Sequence, residues 1–397
     1  MSAIVALETI SAGHPAAPLT CSLTYYLRRN PVPTRNSGSS VNLQLLLLLL
    51  LPLQSVKEIE KQWSMHYAVP LSLCVFLSQA STVAGWGFLG HRTVAFLAEK
   101  YLTPAAAELV ADATAYHPFW DISDGAIWAD WEGRRKYEES GPWHYIDALD
   151  NPPERCGITW PRDCGSEDKP GCVVSAITNL TLSLTDPDFP SPLPKNETVL
   201  FLIHFLGDIA QPLHTENMSR GGNGIHVDFD GRRNSLHSVW DTDIPRKARG
   251  LHHDVRKPEE KAAAKAWAEE LYALAQREEG RDEEERVRCR ADAACEDVVP
   301  DCVDVGSPQA CALLWAGETN CYVCDYVLSR SVVWLENNDL GGEYFEGAAP
   351  IVAGRIKRAG VRLGAWLNEL AALDDGSSEN GRVDEEGQQE PLGAAEL

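Results

Sequence analysis

The spacing of apolar positions predicts a chain that is mostly helical. Apolar residues recur at helical intervals over residues 90–102, and Thr103-Pro104 then caps and opens a second helix at about 105–114. The same periodicity predicts further helices at 124–137, 173–184, 199–209, 257–277, 321–336 and 348–373. We therefore expect an all-α fold.

One segment alternates with the period of a β-strand. Residues 225–229 alternate in polarity, and Asp230-Gly231 directly after them is a hairpin turn signal. No internal repeat is evident, and one set of motifs runs from residue 86 to about 373. We therefore expect a single mostly helical domain over 86–373, with one small β-ribbon.

The apolar stretch before residue 86 reads as a processing signal. Residues 68–77 fit the core of a signal peptide, and the small residues 81–85 after them suit its cleavage. We expect 1–85 to be a leader and signal peptide, with Met65 as a candidate true start. Cleavage would make Trp86 the amino terminus. An N-terminal membrane anchor is the alternative, and it would leave the Trp86 nitrogen in a peptide bond.

The formal charge of −23 argues against a general electrostatic grip on nucleic acid. Two peripheral segments hold about half of it. Residues 276–302 carry ten acidic against five basic groups, and residues 374–397 carry eight acidic groups against one arginine. We expect an acidic, cysteine-containing insertion at about 276–312 and a disordered acidic tail over 374–397.

Two histidine–aspartate pairs have the spacing of helical neighbours. His204 with Asp208, and His237 with Asp241, are i, i+4 pairs, so each pair can converge on one ion from one helix face. Imidazole nitrogen and carboxylate oxygen suit Zn²⁺. Residues 199–209 are otherwise nearly all apolar, so burial of the first pair needs compensation. A hydrogen-bonded pair in the core is the alternative, but the repetition of the pattern favours metal sites.

Further candidate ligands are spread along the chain. A free α-amino group at Trp86 could chelate a metal together with its own carbonyl oxygen. The other candidates are His91 in Trp86-Gly87-Phe88-Leu89-Gly90-His91, Asp130 in Ile127-Trp128-Ala129-Asp130, His144 in Trp143-His144-Tyr145-Ile146-Asp147, and His214 in Gln211-Pro212-Leu213-His214. In order and context these motifs resemble the zinc-dependent single-strand-specific nucleases and 3′-nucleotidases of fungi and plants. That is the nuclease P1 and S1 family of the phospholipase C/nuclease superfamily.

The resemblance implies three Zn²⁺ ions held by named residues. Asp130, His144, His204 and Asp208 would hold the first; Trp86, His91 and a shared Asp208 the second; His214, His237 and Asp241 the third. It marks Asp130 and Asp208 as catalytic, with a hydroxide between the two neighbouring ions attacking phosphorus. The third ion would stabilise the charge on the departing O3′, and products would carry 5′-phosphates.

The resemblance also implies the substrates, which are single-stranded DNA and RNA and 3′-mononucleotides. Tyr145 would stack on an unpaired base and Asp147 would hydrogen-bond its edge, which favours single strands. Asn223 could approach the phosphate. An ordinary core aromatic and a plain turn remain the alternatives for Tyr145 and Asn223. The mature protein is expected to be a monomer without a membrane anchor or a stable protein partner.

Cysteines and sequons agree with a secreted protein. Nine of the 11 cysteines follow Trp86, which favours pairing in an oxidising compartment over a cysteine zinc site. The resemblance implies Cys156–Cys321 and Cys164–Cys172. The sequence does not assign Cys289, Cys295, Cys302 and Cys311, and we expect Cys324 to be the thiol left over. Asn179, Asn196 and Asn217 begin glycosylation sequons.

Two other functions remain open. A phospholipase C of the same superfamily shares the amino-terminal tryptophan ligand, but the Trp143-His144-Tyr145-Ile146-Asp147 context favours a nucleobase. A non-catalytic secreted zinc-binding protein is the second alternative. The expected open coordination at the His214, His237 and Asp241 ion argues against it, because storage sites are usually closed.

Overall fold

A computed structural model of the chain describes residues 86–166, 169–191, 193–279 and 302–379. The expected leader, Cys289 and Cys295, and residues 380–397 of the expected tail lie outside these ranges. Among the described residues, no helix combines the length and apolar character needed to cross a membrane.

The described chain is mainly α-helical, which confirms the predicted fold class. The helices are α1 Phe88–Glu99, α2 Pro104–Thr114, α3 Ile122–Gly125, α4 Arg134–Lys136, α5 Val173–Thr185, α6 Lys195–Asp208, α7 Leu236–Ser238, α8 Ile244–Ala248, α9 Lys257–Glu279, α10 Pro308–Tyr322, α11 Val332–Glu336 and α12 Glu343–Glu379. Helix α2 begins as the sequence predicts, because the Thr103 side chain accepts a hydrogen bond from the Ala106 N–H. Helix α12 continues six residues past the expected domain boundary at 373.

The β-structure consists of short antiparallel ribbons. Strand β3, His226–Phe229, pairs with β4, Arg232–Ser235, around the predicted Asp230-Gly231 turn. Strands β1, Gly165–Ser166, and β2, Lys169–Pro170, form a second pairing that the sequence did not predict. A two-residue strand is too short to show a period in the sequence.

Helix α6 lies in the centre of the fold and positions the site. All its residues from Glu197 to Asp208 are buried, and α1, α2, α5 and α12 pack around it. An apolar surface on every side is expected for a helix that other helices surround. The two polar residues at its carboxyl end, His204 and Asp208, are therefore held in the interior.

Helix α1 packs against α9 and α12. Glycines allow the close approach of α12: a Cβ at Gly360 would lie 2.7 Å from Leu97 Cδ2, and one at Gly364 would lie 3.0 Å from the Ala98 carbonyl oxygen. Because His91 lies on α1, this packing also fixes the position of one candidate ligand.

The continuous helix predicted over 124–137 is wrong. The chain forms α3, a π-helical turn over Ala129–Gly133, and then α4. Gly125 and Gly133 weaken the segment as a helix. Both glycines are needed for packing, since a Cβ at 125 would lie 2.8 Å from Leu200 and one at 133 would lie 3.0 Å from Trp128.

The predicted Cys156–Cys321 bridge is also wrong. Cys156 pairs with Cys324, with their Cα atoms 5.8 Å apart, so Cys324 is not the thiol left over. The two candidates lie three residues apart at the end of α10, and Cys324 falls in the π-helical turn Val323–Val327. Spacing alone cannot tell such neighbours apart. The structure contains the predicted Cys164–Cys172 bridge.

A third disulfide lies at the edge of the acidic insertion. It joins Cys302 to Cys311, two cysteines whose pairing the sequence left unassigned. It ties Cys302 to the first turn of α10.

Candidate metal centre

Within the part of the chain that the structure describes, three groups of side chains could hold a metal ion. The ligand atoms of each group lie within 4.8 Å of one another. The groups are His91, His204 and Asp208; Asp130, His144 and His204; and His214, His237 and Asp241. All members except Asp130 are buried. The structure therefore brings together every candidate ligand side chain selected from the sequence.

Asp208 lies between the first two groups. Its Oδ2 is 2.9 Å from His144 Nδ1 and 3.1 Å from His204 Nε2, whereas its Oδ1 is 3.3 Å from His91 Nε2. Asp130 faces the same cluster, with Oδ1 3.6 Å from His204 Nε2. The two oxygens of one carboxylate therefore face different imidazoles, which suits a ligand shared by two ions.

The residue before Asp208 is a glycine for a steric reason. A Cβ at Gly207 would lie 2.8 Å from His91 Nδ1. Only glycine lets the His91 ring lie against α6 and reach the carboxylate. Gly207 was not among the predicted site residues, although its place directly before a candidate ligand was a usable signal.

Trp86 is completely buried beside two of the groups. Its side chain packs against Gly90, where a Cβ would lie 2.6 Å from Trp86 Cβ, and His91 is the next residue. The following residue, Gly87, donates its N–H to the Asp241 carbonyl oxygen at 2.8 Å. Trp86 is thus followed directly by a backbone contact to Asp241 of the third group and, five residues on, by His91 of the first group.

The third group combines a short 3₁₀ helix with a π-helical turn. His214 lies in Pro212–Thr215, His237 lies on α7, and Asp241 lies in the turn Val239–Asp243. Asp241 Oδ2 is 3.2 Å from His237 Nε2, and its Oδ1 is 3.9 Å from His214 Nε2. The i, i+4 pair therefore converges as predicted, although part of its helix is π-helical.

Gln211, which was not among the predicted site residues, supports this group from outside. Its Nε2 donates to Asp241 Oδ1 at 2.6 Å, while its Oε1 accepts from the Leu213 N–H at 2.6 Å. The amide therefore fixes the Asp241 carboxylate relative to the segment that carries His214. The signal in the sequence was a glutamine next to Pro212 within the motif that carries His214.

Backbone carbonyls orient three of the imidazoles. The Nδ1–H groups donate as follows: His204 to Ala126 at 2.7 Å, His214 to His144 at 2.7 Å, and His237 to Gly221 at 2.6 Å. A carbonyl oxygen only accepts, so Nδ1 carries the hydrogen and a neutral ring presents Nε2 as a lone-pair donor. This second hydrogen bond is typical of histidines that bind metals.

Several buried polar atoms are left to be satisfied by a cation. Among the described residues, both carboxylate oxygens of Asp130, Nε2 of His144 and Nε2 of His214 have no hydrogen-bond partner. Such buried groups are costly unless something compensates them. Nitrogen and carboxylate donors of this kind fit Zn²⁺.

Burial and charge also set the protonation of the cluster. Burial, together with the neighbouring His204, lowers the pKa of His91 to about 4. Burial alone would lower the pKa of His204 too, but the Asp208 and Asp130 carboxylates raise it to about 9. Burial raises the pKa of Asp241 well above its usual range. In the absence of a metal, the His204 proton balances the charge of Asp208, and a bound cation would take over that role.

The candidate base-binding residues lie together beside the His144 segment. Tyr145 and Asp147 line one small pocket with Asp163 and Cys172, and both are half-buried. Burial and the Asp147 charge raise the pKa of Tyr145, whereas the nearby Arg134 lowers it. Tyr145 is therefore not an enclosed core aromatic. Arg134, which was not among the predicted site residues, adds a cation near Tyr145.

Asn223 lies in the loop beside the third group. Its side-chain Nδ2 donates to the Arg220 carbonyl oxygen at 2.9 Å, so the amide holds a turn. Gly221 in the same loop has φ +58°, and a Cβ there would lie 2.6 Å from the Leu213 carbonyl oxygen. The glycine is needed where its own carbonyl accepts from His237. This hydrogen bond of Asn223 supports the alternative that the residue serves a plain turn.

The three sequon asparagines are accessible. Asn179 and Asn217 are exposed, and Asn196 is partly exposed. Glycosylation at these positions stays a prediction.

Comparison with known proteins identifies the class to which this protein belongs. A family model described as S1/P1 Nuclease matches residues 86–372. Nuclease S1 of Aspergillus oryzae (strain ATCC 42149 / RIB 40) is 35% identical over 313 residues, which cover 77% of this chain and 98% of that protein. The protein is thus a nuclease, a hydrolase of ester bonds.

Two further relatives are similar to this chain over a comparable length. Nuclease P1 of Penicillium citrinum is 34% identical over 72% of this chain and 97% of that protein. Endonuclease 2 of Arabidopsis thaliana is 31% identical over 78% of this chain and 98% of that protein. The chain belongs to the S1/P1 nuclease family.

Proposed function

We propose that this nuclease is a secreted three-zinc phosphodiesterase. It hydrolyses single-stranded DNA and RNA to products with 5′-phosphates, and it also removes the phosphate of 3′-mononucleotides. The observation that carries the proposal is the position of Asp208. Its two oxygens face different imidazoles in a buried cluster, and a separate His/Asp group lies close by, with His214 Nδ1 only 3.6 Å from Asp208 Oδ1.

The donors divide into three sets that would each hold one Zn²⁺. Asp130, His144, His204 and Asp208 would hold the first; His91, Asp208 and the Trp86 amino terminus the second; His214, His237 and Asp241 the third. Bound Zn²⁺ supplies Lewis acidity, which makes water a better nucleophile and stabilises negative charge on phosphate oxygens. Asp130 and Asp208 are the catalytic carboxylates of this proposal, with Asp208 serving two ions.

The protein itself positions the reacting groups. The carbonyls of Ala126, His144 and Gly221 hold three rings in one tautomer, and Gln211 holds the Asp241 carboxylate. Fixed donors of this kind lower the cost of organising the site during the reaction. Burial also excludes bulk water from the cluster of His91, His144, His204 and Asp208.

Selection of single strands follows from the Tyr145 and Asp147 pocket. A half-buried aromatic can stack only on a base whose face is uncovered. In a duplex, stacking on neighbouring pairs covers the faces of a base, and base pairing covers its edge. Arg134 beside Tyr145 offers a charge to the phosphate of the bound nucleotide. Asn223 remains a candidate phosphate contact in the loop beside His237.

Secretion is supported by the covalent structure. The described residues contain disulfides Cys156–Cys324, Cys164–Cys172 and Cys302–Cys311, and such bridges form in oxidising compartments. The accessible sequon asparagines agree with that route.

The test is a substrate panel for the zinc-loaded protein. It contains a single-stranded DNA, the duplex of the same sequence, RNA, 3′-AMP, 5′-AMP and phosphatidylcholine. We expect cleavage of both single strands to products with 5′-phosphates, release of phosphate from 3′-AMP, and little reaction with the duplex or 5′-AMP. Chelation should abolish these activities, and added Zn²⁺ should restore them.

A matched pair of histidine variants serves as the control. His214→Ala should lose activity, whereas His226→Ala, an exposed histidine on β3 outside the three groups, should keep it. Turnover of phosphatidylcholine without turnover of DNA would favour a phospholipase C function. Full zinc loading with no turnover of any substrate would favour a zinc-binding protein.

A further inference from the structure

An exposed aromatic surface lies next to a candidate metal ligand and has no place in the site described above. Trp131 is 56% exposed although it directly follows Asp130. Its ring centroid lies 5.8 Å from that of Phe88, with an interplanar angle of 37°. The Lys257 ammonium lies over both rings, 4.8 Å from the centroid of Trp131 and 5.8 Å from that of Phe88. We call these three side chains the aromatic rim.

The aromatic rim borders two elements that carry candidate ligands. Trp131 shares its π-helical turn with Asp130. Phe88 is the first residue of α1, the helix that carries His91. Lys257 begins α9, which packs along α1. The rim therefore adjoins the π-helical turn that carries Asp130 and the helix that carries His91.

The chemistry of the rim suits a nucleotide. A large indole that is more than half exposed signals an interaction surface more than a core position. Every nucleobase has a face that stacks on an aromatic ring, and a nearby ammonium suits the phosphate that accompanies the base. The chain carries a net charge of −23, which repels anions in general. The ammonium of Lys257 over the two rings makes the rim a locally favourable place for an anion.

A neighbouring contact extends the same aromatic surface. Tyr116 is 46% exposed, and its hydroxyl is hydrogen-bonded to Glu132, the residue after Trp131. Its ring also lies 5.7 Å from that of Trp120. A further exposed aromatic side chain, Tyr116, therefore lies beside the residue that follows Trp131 in the sequence.

We propose that the aromatic rim is a second base-stacking subsite, which holds a nucleotide of a single strand beyond the one bound at Tyr145. This inference rests on the proposed function, because it assigns a further part of the same substrate. A 3′-mononucleotide has one base and so cannot occupy both Tyr145 and the rim. The rim therefore contributes only to substrates of two or more nucleotides.

The test compares Trp131→Ala with the parent protein, both zinc-loaded. Steady-state kinetics are measured on 3′-AMP and on a ten-residue oligothymidylate. Binding of a phosphorothioate oligothymidylate is measured at several salt concentrations. We expect the KM for the oligonucleotide, and its dissociation constant, to rise about tenfold or more. The kinetics on 3′-AMP and the zinc content should not change, and Trp131→Phe should recover most of the affinity.

Two further variants sharpen the test. Trp334→Ala is the matched control, because Trp334 also lies under a cation, 4.2 Å from Arg330, but on α11, which supplies no candidate ligand. It should leave the oligonucleotide KM unchanged. Lys257→Gln should reduce the salt dependence of oligonucleotide binding by about 0.7 in log–log slope, the value for one phosphate contact on a single strand.

The outcomes separate the rim from the nuclease activity. Cleavage of DNA that is insensitive to Trp131→Ala would overturn the subsite and leave the proposed function intact. Oligonucleotide binding through Trp131 without cleavage would support the subsite and contradict the proposed function. Equal losses on 3′-AMP and on the oligonucleotide would overturn the subsite, because the effect would then come from Asp130. A changed sedimentation coefficient with unchanged oligonucleotide binding would also overturn it, by identifying a contact between two copies of the chain.

Discussion

The two histidine–aspartate pairs have the same sequence spacing but different surroundings. His204 and Asp208 end a regular helix that is buried from Glu197 onward, and both oxygens of Asp208 face imidazoles. His237 and Asp241 lie where α7 continues into a π-helical turn. There one oxygen of Asp241 is 3.2 Å from His237 Nε2 and the other accepts from Gln211.

The difference shows that spacing defines a pair but not its role. An i, i+4 pair on a helix can converge on one ion in either case. We expect the number of donor sets around the carboxylate to decide whether it serves one ion or two. Asp208 faces His91, His144 and His204, whereas Asp241 faces His237 and, at a longer distance, His214.

The largest expected effect is that of Asp208→Asn compared with Asp241→Asn. Loss of the shared carboxylate should weaken two zinc sites and lower the rate on single-stranded DNA by more than about 100-fold, beyond the usual effect of residues that only orient a ligand. Asp241→Asn should weaken one site and retain more activity. The measurement is zinc per chain together with kcat/KM at matched zinc occupancy. Equal residual rates would count against a carboxylate shared by two ions.

The second prediction concerns the hydrogen bond from Gln211 that positions the Asp241 carboxylate. Gln211→Ala removes the amide that donates to Asp241 Oδ1, so the third site should lose about 10–100-fold in zinc affinity. The zinc affinity of the Asp208 cluster should be unchanged. Competition with a chelator of graded strength measures both affinities. A uniform loss of all zinc would mean that Gln211 supports the fold instead of one site.

A smaller effect is expected outside the metal groups. Asp147→Ala should raise the KM for 3′-mononucleotides by about tenfold, within the range of one base contact, because Asp147 lies in the Tyr145 pocket and in none of the three groups. Zinc content should stay at the parent value. If zinc is lost instead, Asp147 belongs to the metal site.

The smallest effect concerns the zinc-free protein and pH. His204, with its pKa raised to about 9 from 6.5, stabilises the fold fully below pH 6.5 and loses that contribution as pH rises through 9. His91, with its pKa lowered to about 4, contributes stability above pH 6.5 that is lost as pH falls through 4. The urea midpoint should therefore be highest near pH 6.5. Zinc should remove the alkaline decline, and a midpoint that rises steadily to pH 9 without zinc would contradict the ion pair.

Much of the site was predictable because its ligands lie in short motifs. The His204 and Asp208 pair interrupts an otherwise apolar helix, and that conflict with burial is visible in the sequence. Periodicity likewise predicted α2, α5 and α6 to within a few residues. The fold class and the β3–β4 ribbon followed from the same patterns.

The parts that were missed depend on contacts between distant segments. Residues 124–137 have helical periodicity, but a π-helical turn replaces the regular helix around Asp130. Cys321 and Cys324 are indistinguishable until the position of the Cys156 loop is known. Gln211 and Gly207 lie in ligand motifs, but the sequence does not show that they contact Asp241 and His91.

The most direct test of the three-zinc account counts metal in two forms of the chain, one beginning at Trp86 and one at Gly85. A free amino group can donate a lone pair to zinc, whereas a peptide nitrogen is a poor neutral ligand. Without it, the second ion would keep only His91 and Asp208, too few protein ligands for tight retention. We predict three Zn²⁺ per chain for the Trp86 form and two for the Gly85 form, with loss of single-strand cleavage. Equal zinc content and equal rates in the two forms would contradict the account.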